Sequence, residues 1–200
     1  MRILFLLFLF FPTITLAKAT TLPELFSIIG IEENSKLDIH SEPKQGAAVI
    51  GGLAPGAKGI EVISFDANGE WALVNGVENS GWVETRFLRA ESSVWENGKL
   101  PQTLRCHGTE PFWSVSFSNS EARLSVPDAS EQIFMLQSVN DRGFDEDRLR
   151  VVQAGNMTGV IIPQQCSDGM SDKTYALQAV ISLRNNNRKM LSGCCSIASN

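Results

Sequence analysis

The sequence Cys166-Ser167-Asp168-Gly169-Met170-Ser171-Asp172 contains one of the four cysteines of this 200-residue chain. Cys194 and Cys195 follow it as neighbours, and Cys106 precedes it. A bond between the neighbours would close a strained ring, because adjacent α-carbons about 3.8 Å apart lie below the usual disulfide range. We therefore expect each neighbour to pair with a different earlier cysteine, from opposite faces of one strand. Both pairings of that kind stay open.

The first residues predict a secretory signal peptide over residues 1–19. Arg2 precedes an apolar run from Ile3 to Phe11, which is about half of the roughly 20 residues that span a membrane. Cleavage after Ala17 or after Ala19 would release the mature chain. We expect a periplasmic or secreted bacterial protein with no membrane span after cleavage. Such a compartment is oxidising, so an even number of cysteines indicates disulfides.

The charge of the mature chain excludes two classes of partner. Cleavage after Ala19 removes Arg2 and Lys18 and takes Lys+Arg from 17 to 15 against 22 Asp+Glu, so the net charge changes from -5 to -7. Nucleic acids and anionic membranes do not attract an acidic protein. We expect neither as a partner, and the oligomeric state stays open.

Short strands separated by turn residues fill the first half of the chain. Turn signals recur every eight to twelve residues without helical periodicity, which indicates a small barrel. The predicted strands are 26–31, 37–41, 48–53, 60–63, 71–74 and 80–83. In so small a core a large aromatic side chain on an alternating strand favours burial, so Trp71 is predicted to be a core residue. Trp82 follows a turn glycine and is kept as a candidate binding residue.

A family resemblance rests on these segments. Its residues are Leu37-Asp38-Ile39-His40-Ser41-Glu42-Pro43, Val49-Ile50-Gly51, Leu53-Ala54-Pro55-Gly56, Glu70-Trp71-Ala72-Leu73-Val74 and Gly81-Trp82-Val83. They resemble the bacterial SH3 (SH3b) domain over residues 24–90. The resemblance implies an SH3-like small barrel that contacts peptidoglycan or a peptide in the cell envelope. His40 stands where the family usually has arginine or another long polar residue.

The second half of the chain predicts a separate β domain. Residues 91–100 form a polar linker in which Trp95 is expected to dock against one of the domains. Residues 101–198 alternate between apolar and polar side chains, with a hairpin-like turn at Asn185-Asn186-Asn187. We expect an all-β chain in which this domain is an antiparallel β-barrel or sandwich with two disulfides.

Two motifs in this domain are candidate sites, the Cys166–Asp172 sequence and the earlier Cys106-His107-Gly108-Thr109-Glu110-Pro111-Phe112-Trp113. One interpretation is structural, because glycine, proline and aspartate are turn residues and carboxylates cap backbone amides. In the other, the disulfides draw candidate binding residues to one edge of the barrel, where they suit a cationic or amphipathic partner. These residues are Glu110, Trp113, Asp168, Met170 and Asp172.

A site formed by His107, Glu110, Asp168 and Asp172 would favour a hard or borderline cation, but this spacing matches no calcium loop. We expect no metal and no cofactor. The two motifs, together with Gly193-Cys194, resemble an uncharacterised family of exported bacterial proteins with CxGxEPFW and CSDGMSD motifs. That resemblance implies a location and no activity.

The leading hypothesis is therefore a non-enzymatic binding protein of the cell envelope. The first alternative is an inhibitor of a cell-wall enzyme such as a lysozyme, which would present the acidic 168–172 loop to a basic cleft. The second is a cell-wall hydrolase using a cysteine and a histidine. Cys106 and His107 argue against the hydrolase, because adjacent residues on a strand point apart and an oxidised cysteine is no nucleophile.

Overall fold

The fold is all-β, as predicted. The computed structural model describes residues 21–184 and 190–198. Over these residues the chain consists of strands with one 3₁₀ turn at Thr85–Phe87 and no α-helix. Within the same ranges, no helix is long and apolar enough to cross a membrane. The predicted signal peptide at 1–19 and the turn at Asn185-Asn186-Asn187 lie outside the described residues.

Seven antiparallel strands form the N-terminal sheet. They are β1 (Glu24–Ile28), β2 (Leu37–His40), β3 (Val49–Leu53), β4 (Ile60–Phe65), β5 (Trp71–Asn75), β6 (Ser80–Glu84) and β7 (Leu88–Ala90). Their order is β3-β2-β6-β5-β4-β1-β7. The first six strands overlap the six predicted segments. The short strand β7 was not predicted from the sequence.

The N-terminal sheet has its own apolar core. On β2 the side chains of Leu37 and Ile39 are buried while Asp38 between them is exposed, which is the two-residue period of a strand with one solvated face. Trp71 is 6% exposed, which confirms its prediction as a core residue. The buried residues of this core are Phe26, Ile28, Leu37, Ile39, Val62, Ala72, Val74 and Val83.

Eight antiparallel strands form the C-terminal barrel. They are β8 (Arg105–Thr109), β9 (Phe112–Phe117), β10 (Glu121–Ser125), β11 (Gln132–Asn140), β12 (Arg150–Ala154), β13 (Met157–Ser167), β14 (Thr174–Leu183) and β15 (Met190–Ser196). The sheet closes in the order β10-β11-β12-β13-β14-β15-β8-β9. Of the two predicted architectures the barrel is confirmed.

Alternation along the strands fills the barrel interior. On β9, Trp113, Val115 and Phe117 are buried and Phe112 is exposed, because side chains alternate between the two faces of a strand. Strand β8 was not predicted, because the cysteine, histidine and glycine at its centre do not have the β-branched and aromatic composition typical of strands.

The two disulfides are Cys106–Cys195 and Cys166–Cys194. The neighbours Cys194 and Cys195 lie on β15 and point to opposite faces, as expected. Cys195 and Cys106 both belong to the buried core of the barrel. The second bond joins β15 to the half-buried Cys166 at the end of β13. The last strand is thereby fastened to two earlier strands.

The linker is docked rather than loose. Trp95 is 8% exposed and packs within the core of the barrel. Its indole N–H donates to the carbonyl of Pro23, at the start of the N-terminal sheet, over 2.9 Å. The guanidinium groups of Arg148 and Arg150 lie 5.3 and 5.1 Å from the centre of the indole ring. Trp95 therefore contacts both halves of the chain.

Candidate functional site

The two sequence motifs lie side by side at one end of the barrel. They line a pocket of about 360 Å³, here called the disulfide pocket, in which Cys166, the disulfide partner of Cys194, forms part of the wall. The hydroxyl of Thr109 donates to the carbonyl of Asp168 over 2.7 Å and holds the two segments together. Three predicted binding residues line the pocket: Glu110, Asp168 and Met170.

The carboxylate of Asp168 organises its own loop. Its Oδ1 accepts hydrogen bonds from the amides of Met170 (3.0 Å) and Ser171 (2.8 Å), and its Oδ2 accepts one from the Ser171 hydroxyl (2.8 Å). Burial raises the pKa of Asp168, but these hydrogen bonds and the nearby His107 outweigh burial and lower it to about 2. Asp168 is therefore ionised at neutral pH and caps the loop, as the structural interpretation of the motif expected.

Trp113 is placed inside the barrel and not on the pocket surface. It is 3% exposed, and its indole N–H donates to the carbonyl of Ser192 over 3.3 Å. The backbone of Gly108 covers the ring at the pocket end. The sequence placed Trp113 beside the carboxylates as a surface for a cation. In the structure its ring supports the pocket from behind and is not open to a ligand.

Two further candidate residues lie outside the disulfide pocket. The carbonyl of Asp172 accepts a hydrogen bond from the Ser80 amide over 3.1 Å, and Asp172 forms a parallel bridge with Asn79. Its backbone therefore joins the barrel to the N-terminal sheet. Trp82 is half-buried on β6 opposite His40 and lines neither the disulfide pocket nor the clefts described below.

Of the four residues considered for a metal, His107 and Asp168 approach each other, with 3.7 Å between Nε2 and Oδ2. The residues that the structure describes contain no group of three or more His, Cys, Asp or Glu side chains that could hold a metal ion.

The ring of His107 also packs edge-on against Tyr175, 4.9 Å between centroids. Burial raises the pKa of Tyr175, and the charge of Asp168 raises it further.

Two large apolar side chains are exposed around the disulfide pocket. Phe112 is 51% exposed at the tip of the β8–β9 hairpin, and Met170 is 68% exposed on the loop that follows β13. Phe112 forms part of a shallow apolar groove with Pro111, Val126 and Pro127. The Thr109–Glu110 segment lines both this groove and the disulfide pocket, so the two surfaces are continuous. Sequence reasoning did not select Phe112, although it faces away from its buried strand neighbours.

A second cleft, which sequence reasoning missed entirely, lies between the N-terminal sheet and the barrel. It measures about 440 Å³ and is called here the interdomain cleft. Its charged and polar lining includes Lys58, Glu61, Asn75, Arg105, His107, Lys173 and Tyr175. One signal was present in the sequence: Glu61 interrupts the apolar strand Ile60–Ile63, and a carboxylate in such a run is rarely buried without a partner.

The chain was compared with protein-family models, curated proteins and solved structures, and none of them matches it. Function is therefore inferred from the sequence patterns and from the chemistry of the surfaces that the structure describes.

Proposed function

We propose that this chain is an exported binding protein of the bacterial cell envelope, and that residues 24–90 form an SH3-like domain that contacts peptidoglycan or a peptide. The sequence pattern of the SH3b family supports the domain. The seven-stranded antiparallel sheet with its own core is compatible with it. The two disulfides support export, because such bonds persist in oxidising compartments.

The observation that carries this proposal is a groove of about 520 Å³ on the N-terminal sheet, here called the Trp71 groove. The 6% exposed part of Trp71 lies at its base, and its rim carries both signs of charge. Its lining residues are Pro43, Lys44, Gln45, Glu70, Trp71, Glu84, Thr85 and Arg86. An extended peptide with mixed charges offers apolar side chains and ionic groups to such a surface.

The charges of the rim are available for exchange with a ligand. Lys44 pairs with Glu42 over 2.8 Å and Arg86 pairs with Glu84 over 2.9 Å. The side chains of both cations are more than 60% exposed. Exposed ion pairs contribute about 0–1 kcal/mol, so a ligand carboxylate can replace the internal partner at little cost.

Sedimentation with purified sacculi tests this proposal. The mature chain is expected to sediment with sacculi at low salt, and the double variant Lys44→Glu/Arg86→Glu is expected to lose at least about tenfold in affinity. Arg123→Glu is the matched control, because Arg123 is an exposed, ion-paired arginine on the barrel. A wild-type chain that stays wholly in the supernatant would contradict peptidoglycan binding.

A second candidate function is inhibition of a cell-wall enzyme such as a lysozyme. The exposed Phe112 and Met170, with Glu110 between their loops, form a projecting surface backed by a disulfide. Saturating protein is expected to reduce lysozyme activity, and Phe112→Ala/Met170→Ala is expected to abolish the effect. The control is Ile133→Ala, which removes an equally exposed apolar side chain from β11. Unchanged lysozyme activity with wild-type protein would rule out this version.

The hydrolase alternative loses its nucleophile. All four cysteines are paired in the two disulfides, so the chain holds no free thiol. A disulfide sulfur cannot act as a thiolate.

A further inference from the structure

The interdomain cleft is built by both halves of the chain. Lys58, Glu61 and Asn75 line it from the N-terminal sheet, while strands β8 and β14 and the C-terminal segment line it from the barrel. Its volume of about 440 Å³ is in the range of small-molecule sites. It shares no lining residue with the Trp71 groove or with the disulfide pocket.

Glu61 is buried in the wall of this cleft with half of its carboxyl group unpartnered. The residue is 5% exposed. Its Oε2 accepts hydrogen bonds from the Ser196 hydroxyl and from the Ile197 amide, the latter over 3.1 Å. Its Oε1 is buried and has no hydrogen-bond partner among the described residues. Buried carboxyl oxygens are normally hydrogen-bonded, so this oxygen needs a partner that residues 21–184 and 190–198 do not supply.

The rest of the cleft carries positive charge. Lys58, Arg105 and Lys173 line it, and within residues 21–184 and 190–198 none of them forms an ion pair with a carboxylate. Lys58 and Arg105 are exposed and Lys173 is half-buried. The cleft therefore combines one buried acceptor with three cations that form no ion pair among the described residues, although the charge of Lys58 also acts on Glu91.

We propose that the interdomain cleft binds a small zwitterion, a free amino acid or a short peptide with both termini free, with its ammonium group at Glu61 and its carboxylate among Lys58, Arg105 and Lys173. A simple anion would leave the Glu61 oxygen unpartnered. A simple cation would meet three like charges. A zwitterion satisfies both sets, because its opposite charges sit on one molecule.

The ionisation of Glu61 gives this site a signature. Burial raises the pKa of Glu61 from 4.5 to about 7, although hydrogen bonds from Ser196, Ile197 and Ala198 lower it in part. A ligand ammonium binds the ionised form, so affinity is expected to rise up to about pH 7 and to fall again above about pH 8, where the ammonium group of the ligand loses its proton. Below about pH 7, binding releases a proton.

Other ionisable groups face the cleft or lie beside it. Three cations, Lys58, Arg105 and Lys173, line it together with His107 and Tyr175, while Asp168 and Glu91 stand behind His107 and Lys58. The pKa values of Asp168 and Glu91 are lowered and that of Tyr175 is raised, so none of the three changes charge near pH 7. The Glu61→Gln variant separates the contribution of Glu61 from those of the other groups that line the cleft.

Calorimetric titration of the mature protein with the dipeptide Ala-Ala tests the proposal. N-acetyl-Ala-Ala lacks the ammonium group and Ala-Ala-amide lacks the carboxylate. Ala-Ala is expected to bind, and each of the two blocked dipeptides is expected to bind at least about tenfold more weakly. No binding of Ala-Ala at about 10 mM, or equal binding of a blocked dipeptide, overturns the proposal.

Variants assign the two ends of the ligand. Glu61→Gln is expected to weaken Ala-Ala at least about tenfold, to abolish the rise in affinity up to about pH 7 and to leave the acetylated dipeptide unaffected. Arg105→Gln and Lys173→Gln are expected to weaken both of these ligands. Arg123→Gln, on the outer barrel surface, is the control and is expected to change nothing. If Glu61→Gln binds Ala-Ala with unchanged affinity, and an unfolding measurement shows that the variant is folded, the assignment of the ammonium group to Glu61 is overturned. Sacculus binding through the Trp71 groove is measured separately, so either proposal can fail alone.

Discussion

Gly108 allows Trp113 to lie under the disulfide pocket. A side-chain Cβ at this position would collide with the Trp113 indole nitrogen and would lie 2.6 Å from the Ser192 carbonyl. Those two groups are hydrogen-bonded to each other, so neither can move away without losing the bond. The glycine in the first motif therefore has a packing reason that is independent of any ligand.

Gly108→Ala is expected to lower the free energy of unfolding by about 1–3 kcal/mol, because an added methyl group overpacks this contact. Urea unfolding measures it. Gly159→Ala is the matched control, since a Cβ there would lie 3.8 Å from the nearest atom, an ordinary contact, and is expected to change stability by no more than about 0.5 kcal/mol. Equal stability of the two variants would contradict the packing of Trp113 against Gly108.

At the scale of elements, strand β15 is the central connection of the barrel. It pairs with β14 on one side and with β8 on the other, where Cys195 lies opposite its disulfide partner Cys106. The neighbouring Cys194 reaches the end of β13 through the other face. Because side chains alternate along a strand, the two adjacent cysteines form disulfides on opposite faces of β15. Their separate pairing was predictable once the segment was predicted to be a strand.

The two disulfides are expected to contribute unequally to stability. Cys106–Cys195 spans 89 residues and Cys166–Cys194 spans 28, and the longer loop restricts the unfolded chain more. Replacing the first pair by alanine is expected to cost about 4–5 kcal/mol, and replacing the second about 3–4 kcal/mol. Urea unfolding without reductant measures both. A larger loss for the second pair would show that native-state packing outweighs chain entropy here.

At the scale of the whole molecule, the two halves are held by buried polar contacts. Arg148 of the barrel donates to the carboxylate of Glu24, and their side chains are 4% and 9% exposed. The Ser93 hydroxyl donates to the same carboxylate over 2.7 Å. Glu61 makes a second connection through Ser196 and Ile197. These contacts fix the two sides of the interdomain cleft relative to each other.

Removing one partner of the Glu24–Arg148 pair is expected to be costly. Arg148→Met leaves a buried carboxylate without its cation and should lower the free energy of unfolding by about 3–5 kcal/mol. Arg148→Met/Glu24→Gln should recover part of that loss, because no uncompensated charge remains. A double-mutant cycle by urea unfolding measures the coupling. Additive losses would contradict a direct buried pair.

The ionisation of Glu61 predicts a pH dependence of stability. Its pKa is raised from 4.5 to about 7 in the folded state, so the native chain retains a proton that the unfolded chain loses. Relative to Glu61→Gln, the free energy of unfolding of the wild type should fall as pH rises from about 4.5 to about 7, by up to about 3 kcal/mol, and stay level above. Urea unfolding across this range checks it, and parallel profiles would contradict it.

The sequence by itself determined the all-β class, the closed antiparallel barrel as one of two architectures, and the separate partners of Cys194 and Cys195. These follow from local periodicity and covalent geometry, which any short window contains. It also predicted Trp71 as a core residue and the docking of Trp95. Glu110, Asp168 and Met170 were predicted to lie at one edge of the barrel, and they line one pocket there because the disulfides draw their segments together.

Only the tertiary structure decided which candidates line a pocket. The alternation of side chains around Trp113 is the same whether Trp113 points into the barrel or into a pocket. Closure of the barrel places it inside. The interdomain cleft depends on the docking of two sheets, so Glu61 and Arg105, 44 positions apart in the sequence, meet across a surface that no local pattern specifies. The environment of Glu61 depends on that docking, since its hydrogen-bond partners Ser196 and Ile197 belong to the other half of the chain.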